Sequence, residues 1–161
     1  MARSDDLMVR VAGAEDAEAL FEVQKSSALA AYEHIFPPDR YPFPDAEERV
    51  RWSHFLTSVD LRVFIAERTE PLGVAVSGKG QLQRLFVVSD AWGTGVGSRL
   101  HGVVVDALRA GRNEVARLWV LEENARARNF YEWKGWTLDG RTTQSAFPPY
   151  PSVLGYSLTL L

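Results

Sequence analysis

A chain of 161 residues is the length of one domain, 1–161, and a domain of that size buries roughly 70% of its unfolded surface without staples. A net charge of −3 argues against a broad electrostatic grip on nucleic acid or an anionic membrane, and no apolar leader or long apolar run is present, so the expected location is the cytoplasm. The chain has no cysteine, which excludes disulfides, thiolate metal sites and a covalent thioester on a cysteine, so any acyl transfer is direct or uses another nucleophile.

Alternation from Leu7 to Val11 predicts an opening strand. A first helix follows Ala14-Glu15-Asp16 and runs to about Tyr32, stopping ahead of Pro37-Pro38. The segment from Ala30 to Pro44 is rich in aromatics and prolines, and reads as a packed connector or a pocket wall. Asp45, with Glu48 three residues on, resembles a capping box opening a second helix, whose Trp52, Phe55, Leu56 and Val59 keep helical spacing toward a core. Strands follow at Val63–Ala66, Leu72–Val76 and Gln81–Val88, and the short turns between them imply an antiparallel meander. A helix from the glycine-rich turn ends with Gly111 as a C′ residue. Arg117–Leu121 is then a strand parallel to the one before the turn, and Glu123 or Asn124 starts a helix closed by Gly135. Trp136–Arg141, a proline-rich loop and a closing strand to Leu161 complete the chain. Trp119, Trp133 and Trp136 are expected in the core. The apolar face of the closing strand either covers the core or pairs with a second copy, which leaves a homodimer open.

The stretch Leu85 to Leu100 carries the clearest chemistry. Gly93, Gly95 and Gly97 leave the turn without Cβ atoms where a helix begins, so backbone N–H groups stand free at its positive end, an arrangement that suits a phosphate. A plain flexible turn would have the same composition. A P-loop is excluded because no lysine stands in the motif. A dinucleotide fingerprint places Ser98 where Gly or Ala belongs, with too little chain following for the remaining βαβ units.

Two motifs in this order of elements resemble the GCN5-related N-acetyltransferase family. Trp92-Gly93-Thr94-Gly95-Val96-Gly97 after Leu85-Phe86-Val87-Val88 is similar to the family's acetyl-CoA loop. Asn124-Ala125-Arg126-Ala127-Arg128-Asn129-Phe130-Tyr131, running on to Gly135-Trp136, is similar to its Asn-x-x-Ala-x-x-Phe-Tyr-x-x-x-Gly-Phe pattern. The resemblance implies an α/β (α+β) fold with a mixed, mostly antiparallel sheet of about six to seven strands and about four helices. It also implies acetyl transfer from acetyl-CoA to a primary amine by direct attack in a ternary complex. Gly93, Thr94, Gly95, Val96, Gly97 and Ser98 would cradle the pyrophosphate beside Trp92, which stands where the family has Gln or Arg. The backbone of Phe86, Val87 and Val88 would pair with the pantetheine arm, joined by Asn124, and Tyr131 would be the general acid.

Gln81 and Gln83 stand where many family members carry a glutamate base, and an amide cannot take a proton from an ammonium. Glu67, Glu33, His34 and Asp90 remain as candidates, each of which reads more readily as an ordinary surface, packing or capping residue, with Glu67 as the candidate base. Loss of the base also favours an alternative, a non-catalytic acyl-CoA-binding or sensing domain. The three scattered histidines predict no metal site. The resemblance assigns the acceptor to the segments Ala30–Pro44 and Thr142–Pro151, with Tyr32, His34, Phe36 and Tyr150 as candidate contacts. Few acids accompany these aromatics, which points to a partly apolar small-molecule or peptide amine rather than a polycation.

Overall fold

The computed structural model describes residues 6–161. Seven strands form one sheet, in chain order β1 (Met8–Val11), β2 (Leu61–Glu67), β3 (Pro71–Gly78), β4 (Gln81–Val87), β5 (Val115–Leu121), β6 (Thr137–Gln144) and β7 (Ser152–Thr159). Four helices accompany it, α1 (Ala17–Ala31), α2 (Asp45–Thr57), α3 (Val96–Ala110) and α4 (Ala125–Trp133). The spatial order is β1-β2-β3-β4-β5-β7-β6, antiparallel throughout except between β4 and β5. This is the expected mixed, mostly antiparallel sheet with four helices.

Both faces of the sheet are covered, so the central strands read as continuous apolar runs; Val63 to Ala66 in β2 are all buried. On one face α3 lays Val96, Leu100, Val104 and Leu108 against β3 and β4. Gly73 makes this approach possible, because a Cβ there would lie 2.7 Å from Leu100 Cδ1. On the other face α1 and α2 bury Leu20, Phe21 and Trp52 over Ile65, Val74 and Val76.

A polar network ties that second layer to β4. Trp52 Nε1 donates to Gln24 Oε1 (2.8 Å), Gln24 Nε2 donates to Glu48 Oε2 (2.9 Å), and Arg84 Nη1 donates to the same oxygen at 2.7 Å. Glu48 is therefore no capping-box residue. Pro44 occupies the cap position and Asp45 the first helical turn, while Glu48 faces inward at 3% exposure.

Other expectations are corrected by the same logic of facing. Val59 lies beyond the end of α2 and is almost fully exposed. Gly111 keeps φ near −77° and Arg112, at +62°, makes the left-handed turn instead, with Asn113 bonding back to Leu108 O. Trp136 is buried, but Trp119 and Trp133 are 41% and 73% exposed. β7 is flanked by β5 and β6, and its Tyr156, with Leu160 just beyond it, is buried in the core.

His101 in α3 is core filler, accepting a hydrogen bond at Nε2 from Trp136 Nε1 (2.9 Å) and packing edge-on against Phe130. Burial, assisted by the Lys134 charge, pushes its pKa down to about 4. The unfolded chain takes up this proton near pH 6.5 and the folded chain only near 4, so stability is complete above that window and declines as pH falls through it, by up to about 3 kcal/mol. Urea unfolding midpoints recorded between pH 7.5 and 4.5 should fall in wild type and flatten in His101→Gln. Glu48→Ala should lower stability by about 3 kcal/mol at pH 7, since it strands the Arg84 guanidinium in the core, and the same urea assay measures it.

Candidate active site

β4 and β5 touch only at their beginnings, where Gln81 is opposite Arg117 and Arg117 N donates to Gly80 O (3.0 Å). Beyond that point β4 follows β3 and β5 follows β7, so the two parallel strands part and leave a groove. Backbone alternation decides which groups face it. Val88 N donates to Leu72 O while Val87 is opposite Gly73, so Phe86 and Val88 bond toward β3, and Leu85 and Val87 turn their N–H and C=O to the groove. Of the expected pantetheine-pairing run Phe86, Val87 and Val88, only the middle residue presents its backbone, and Leu85 joins it. The groove-facing Val87 carbonyl accepts Trp92 Nε1 at 2.8 Å.

Past the short helical turn Ser89–Ala91, the loop enters α3 with Gly93 at φ +75° and Gly95 at +95°, conformations that side-chain-bearing residues rarely adopt. A Cβ built on either meets no described atom within 4 Å. Thr94 N bonds Ala91 O, and the first bond of the helix is Arg99 N to Gly95 O. The N–H groups of Gly93, Gly95, Val96, Gly97 and Ser98 consequently have no backbone acceptor among the described residues. They converge at the positive end of α3. Trp92 brings a cation to this loop: the Arg126 guanidinium stacks 3.8 Å from its ring centroid.

Two cavities meet in the groove. One, about 450 Å³, is lined by the glycine loop, Arg126, Phe130 and the exposed Trp133. The other, about 610 Å³, opens between the α1–α2 connector and the β6–β7 loop and is walled by Phe36, Tyr41, Phe43, Phe147 and the exposed Trp119. Tyr32, Leu85, Phe86, Asn124, Ala127 and Tyr131 border both.

Asn124 caps α4, its Oδ1 accepting from Ala127 N (3.2 Å), and its side chain borders both cavities beside Tyr32. Tyr131 is buried, and its hydroxyl makes no hydrogen bond to another described residue. Burial, then the nearby Tyr32, pushes its pKa well up, so the phenol stays protonated. Tyr32 is raised likewise by burial.

The remaining predicted site residues are not brought to the groove. Glu67 lies at the end of β2 and accepts Arg10 Nε (2.8 Å), a guanidinium that also grips Asp16. His34 is exposed and donates Nε2–H to Glu123 O (2.9 Å), tethering the α1–α2 connector to the β5–α4 turn. Tyr150 is half-exposed on the β6–β7 loop, outside both linings. Glu33 and Asp90 are exposed. The carboxylate that does line the larger cavity is Glu48. Burial works to raise its pKa, but the hydrogen bonds from Arg84 and Gln24 and the charges of Arg84 and Arg51 hold it below the ordinary range.

The profile of the Acetyltransferase (GNAT) family matches residues 28–136. A Mycobacterium tuberculosis protein named "Probable N-acetyltransferase Rv2775" is 31% identical over 108 residues, which cover 62% of this chain and 55% of that protein, so the chain spans about half the length of this relative. Among solved structures, the PaiA N-acetyltransferase from Thermoplasma acidophilum in complex with coenzyme A superposes with a TM-score of 0.74 at 16% identity, covering 95% of this chain and 98% of that one. The ribosomal-protein-S18-alanine N-acetyltransferase from Escherichia coli gives 0.72 at 15% identity over 96% and 94%. YncA from Salmonella typhimurium, solved with acetyl-CoA, gives 0.72 at 15% identity over 97% and 95%. Those likenesses show the fold, and the family profile, matching most of the chain across both motifs, shows that this protein belongs to the acetyltransferase (GNAT) family.

Proposed function

We propose that this protein transfers acetyl from acetyl-CoA to a primary amine by direct attack within a ternary complex. The observation that carries the reading is the junction of two cavities at Tyr131, one floored by unpaired helix-terminal N–H groups and the other by aromatic side chains. The loop from Gly93 to Ser98 would hold the pyrophosphate, with Arg126 as its cation. The open backbone groups of Leu85 and the N–H of Val87 would pair with the amides of the pantetheine arm, as an added strand does. Bound acetyl-CoA supplies an activated acyl group whose carbonyl an amine attacks and whose sulfur leaves as a thiolate.

Tyr131 then serves as general acid, hydrogen-bonding the departing sulfur and supplying its proton. Among the described residues no carboxylate stands ready to take the proton from the amine, because Glu48 is committed to Arg84 and Gln83 bonds Gly78 O through its amide. The amine therefore reacts from its neutral form, reached through water. The lack of a base also favours a second reading, an acyl-CoA-binding domain without turnover.

Calorimetric titration should show acetyl-CoA binding by wild type, weakened at least about tenfold, or ~1.4 kcal/mol, in Gly95→Glu, where bulk and negative charge enter the cradle. Arg126→Ala should weaken it in the same direction. Absence of binding by folded wild type overturns both readings. Thiol release with an accepted amine should fall about 100-fold in Tyr131→Phe. Its kcat/KM should climb with pH up to the pKa of the acceptor amine itself, and shift when an amine of different pKa is used. Binding with no thiol release above background, across acceptors, would leave the binding-domain reading.

A further inference from the structure

The charges of the acceptor cavity are unbalanced. Arg40, Arg51 and Arg84 line it against a single carboxylate, Glu48, so three guanidinium groups face one anion. Arg84 is the most enclosed of them, its side chain 11% exposed, with its plane near the rings of Trp52, Phe55 and Phe86. Among the described residues only its Nη1 makes a hydrogen bond. Nε and Nη2 donate to no described residue, yet neither counts among the buried unsatisfied atoms, so the unused side of the fork opens on the cavity. Arg51 stands beside it, Nη1 lying 4.0 Å from Glu48 Oε1, and reaches toward Phe147 across the cavity.

A fork with two free donors in a low-dielectric wall is matched by a planar, bidentate anion. A polyamine would meet two uncompensated positive charges here, and a peptide chain would offer a neutral carbonyl. The position relative to the reacting point narrows the choice further. Arg84, Tyr32 and Tyr131 all line this one cavity, with Tyr32 near enough to each of the other two to feel its charge or ring. An α-amino acid carries its amine and its carboxylate on a single carbon, which suits a cavity whose wall holds both the fork and the phenol.

We propose that the acceptor is a free amino acid with an apolar or aromatic side chain, its carboxylate seated on Arg84 and Arg51 and its amine directed to the cavity junction at Tyr131. This rests on the acetyl-transfer reading above. Recognition of the carboxylate also selects against amines that share the side chain and lack the acid. The bond that forms is N–C to the acetyl group, the bond that breaks is C–S, the amine proton leaves to water and the sulfur is protonated.

The test is thiol release with a panel of L-amino acids bearing apolar and aromatic side chains, each paired with its own carboxamide, alongside spermidine and a tripeptide. Acetyl-CoA binding is titrated on the same samples. At least one free amino acid should exceed its carboxamide by tenfold or more in kcat/KM. That ratio should fall at least threefold in Arg84→Lys, which keeps a cation for Glu48 and removes the fork. Arg51→Ala, at the solvent side of the pair, gives the same readout if Arg84→Lys fails to fold. Carboxamides, spermidine or the tripeptide turning over as well as the free acids would overturn the proposal and leave acetyl transfer standing. Acetyl-CoA binding with no free amino acid turned over also overturns it. Failure to bind acetyl-CoA removes the underlying reading as well.

Discussion

Everything at this site depends on two parallel strands that start together and do not stay together. β4 and β5 share one register pair, Gln81 with Arg117, and then each remains with its antiparallel neighbour, β4 with β3 and β5 with β7. Each strand is satisfied on one edge and open on the other. Open backbone groups in a protein interior are costly unless something completes them, so a groove between them is a standing demand for an extended amide-bearing partner. The same parting leaves room for α4 to enter beside the gap, with Asn124 at its cap and Tyr131 two turns along.

The two halves of the groove have different chemistry because different elements wall them. On the α3 side the free donors are backbone: N–H groups freed by a helix start and by two glycines in left-handed conformation. Side chains add little there beyond Trp92, which pins the loop to Val87 O and offers its face to Arg126. On the α1–α2 side the walls are side chains, aromatic rings around a guanidinium cluster. Backbone recognition is indifferent to sequence and side-chain recognition is not. A family can therefore keep the first half as a short motif while the second half varies with the acceptor.

That division explains what could be read from the sequence. The glycine loop, Asn124 and Tyr131 are legible because the motif itself encodes local backbone geometry, and six of the seven strands are legible from runs and turns, the polar and largely exposed β6 having no such run. Groove-facing Leu85 was missed because which backbone groups face the gap depends on register with β3, a long-range fact. Glu48 looked like a cap because its spacing from Asp45 fits one, and only packing of α2 on β4 turns it toward Arg84. Trp119 and Trp133 looked like core because large apolar side chains usually are, and the splay that exposes them into the cavities has no sequence signature. Tyr150, His34 and Glu67 have a suitable residue type near the right segments and nothing more in the sequence to direct them. Their directions were fixed by partners elsewhere, for His34 the Glu123 carbonyl and for Glu67 the Arg10 guanidinium.

Glu48 also shows why a carboxylate in a cavity wall is not thereby a base. Its oxygens receive Arg84, Gln24 and, more distantly, Arg51, and each of these contacts favours the ionised form over the protonated one. A base must gain a proton during the reaction. A group stabilised as an anion by two fixed donors resists that gain in proportion to the strength of the contacts. The network instead fixes the pose of Arg84, holding one guanidinium nitrogen so that the others point into the cavity. Such a pocket has spent its buried acid on orienting a cation, which fits recognition of an anion better than deprotonation of an ammonium.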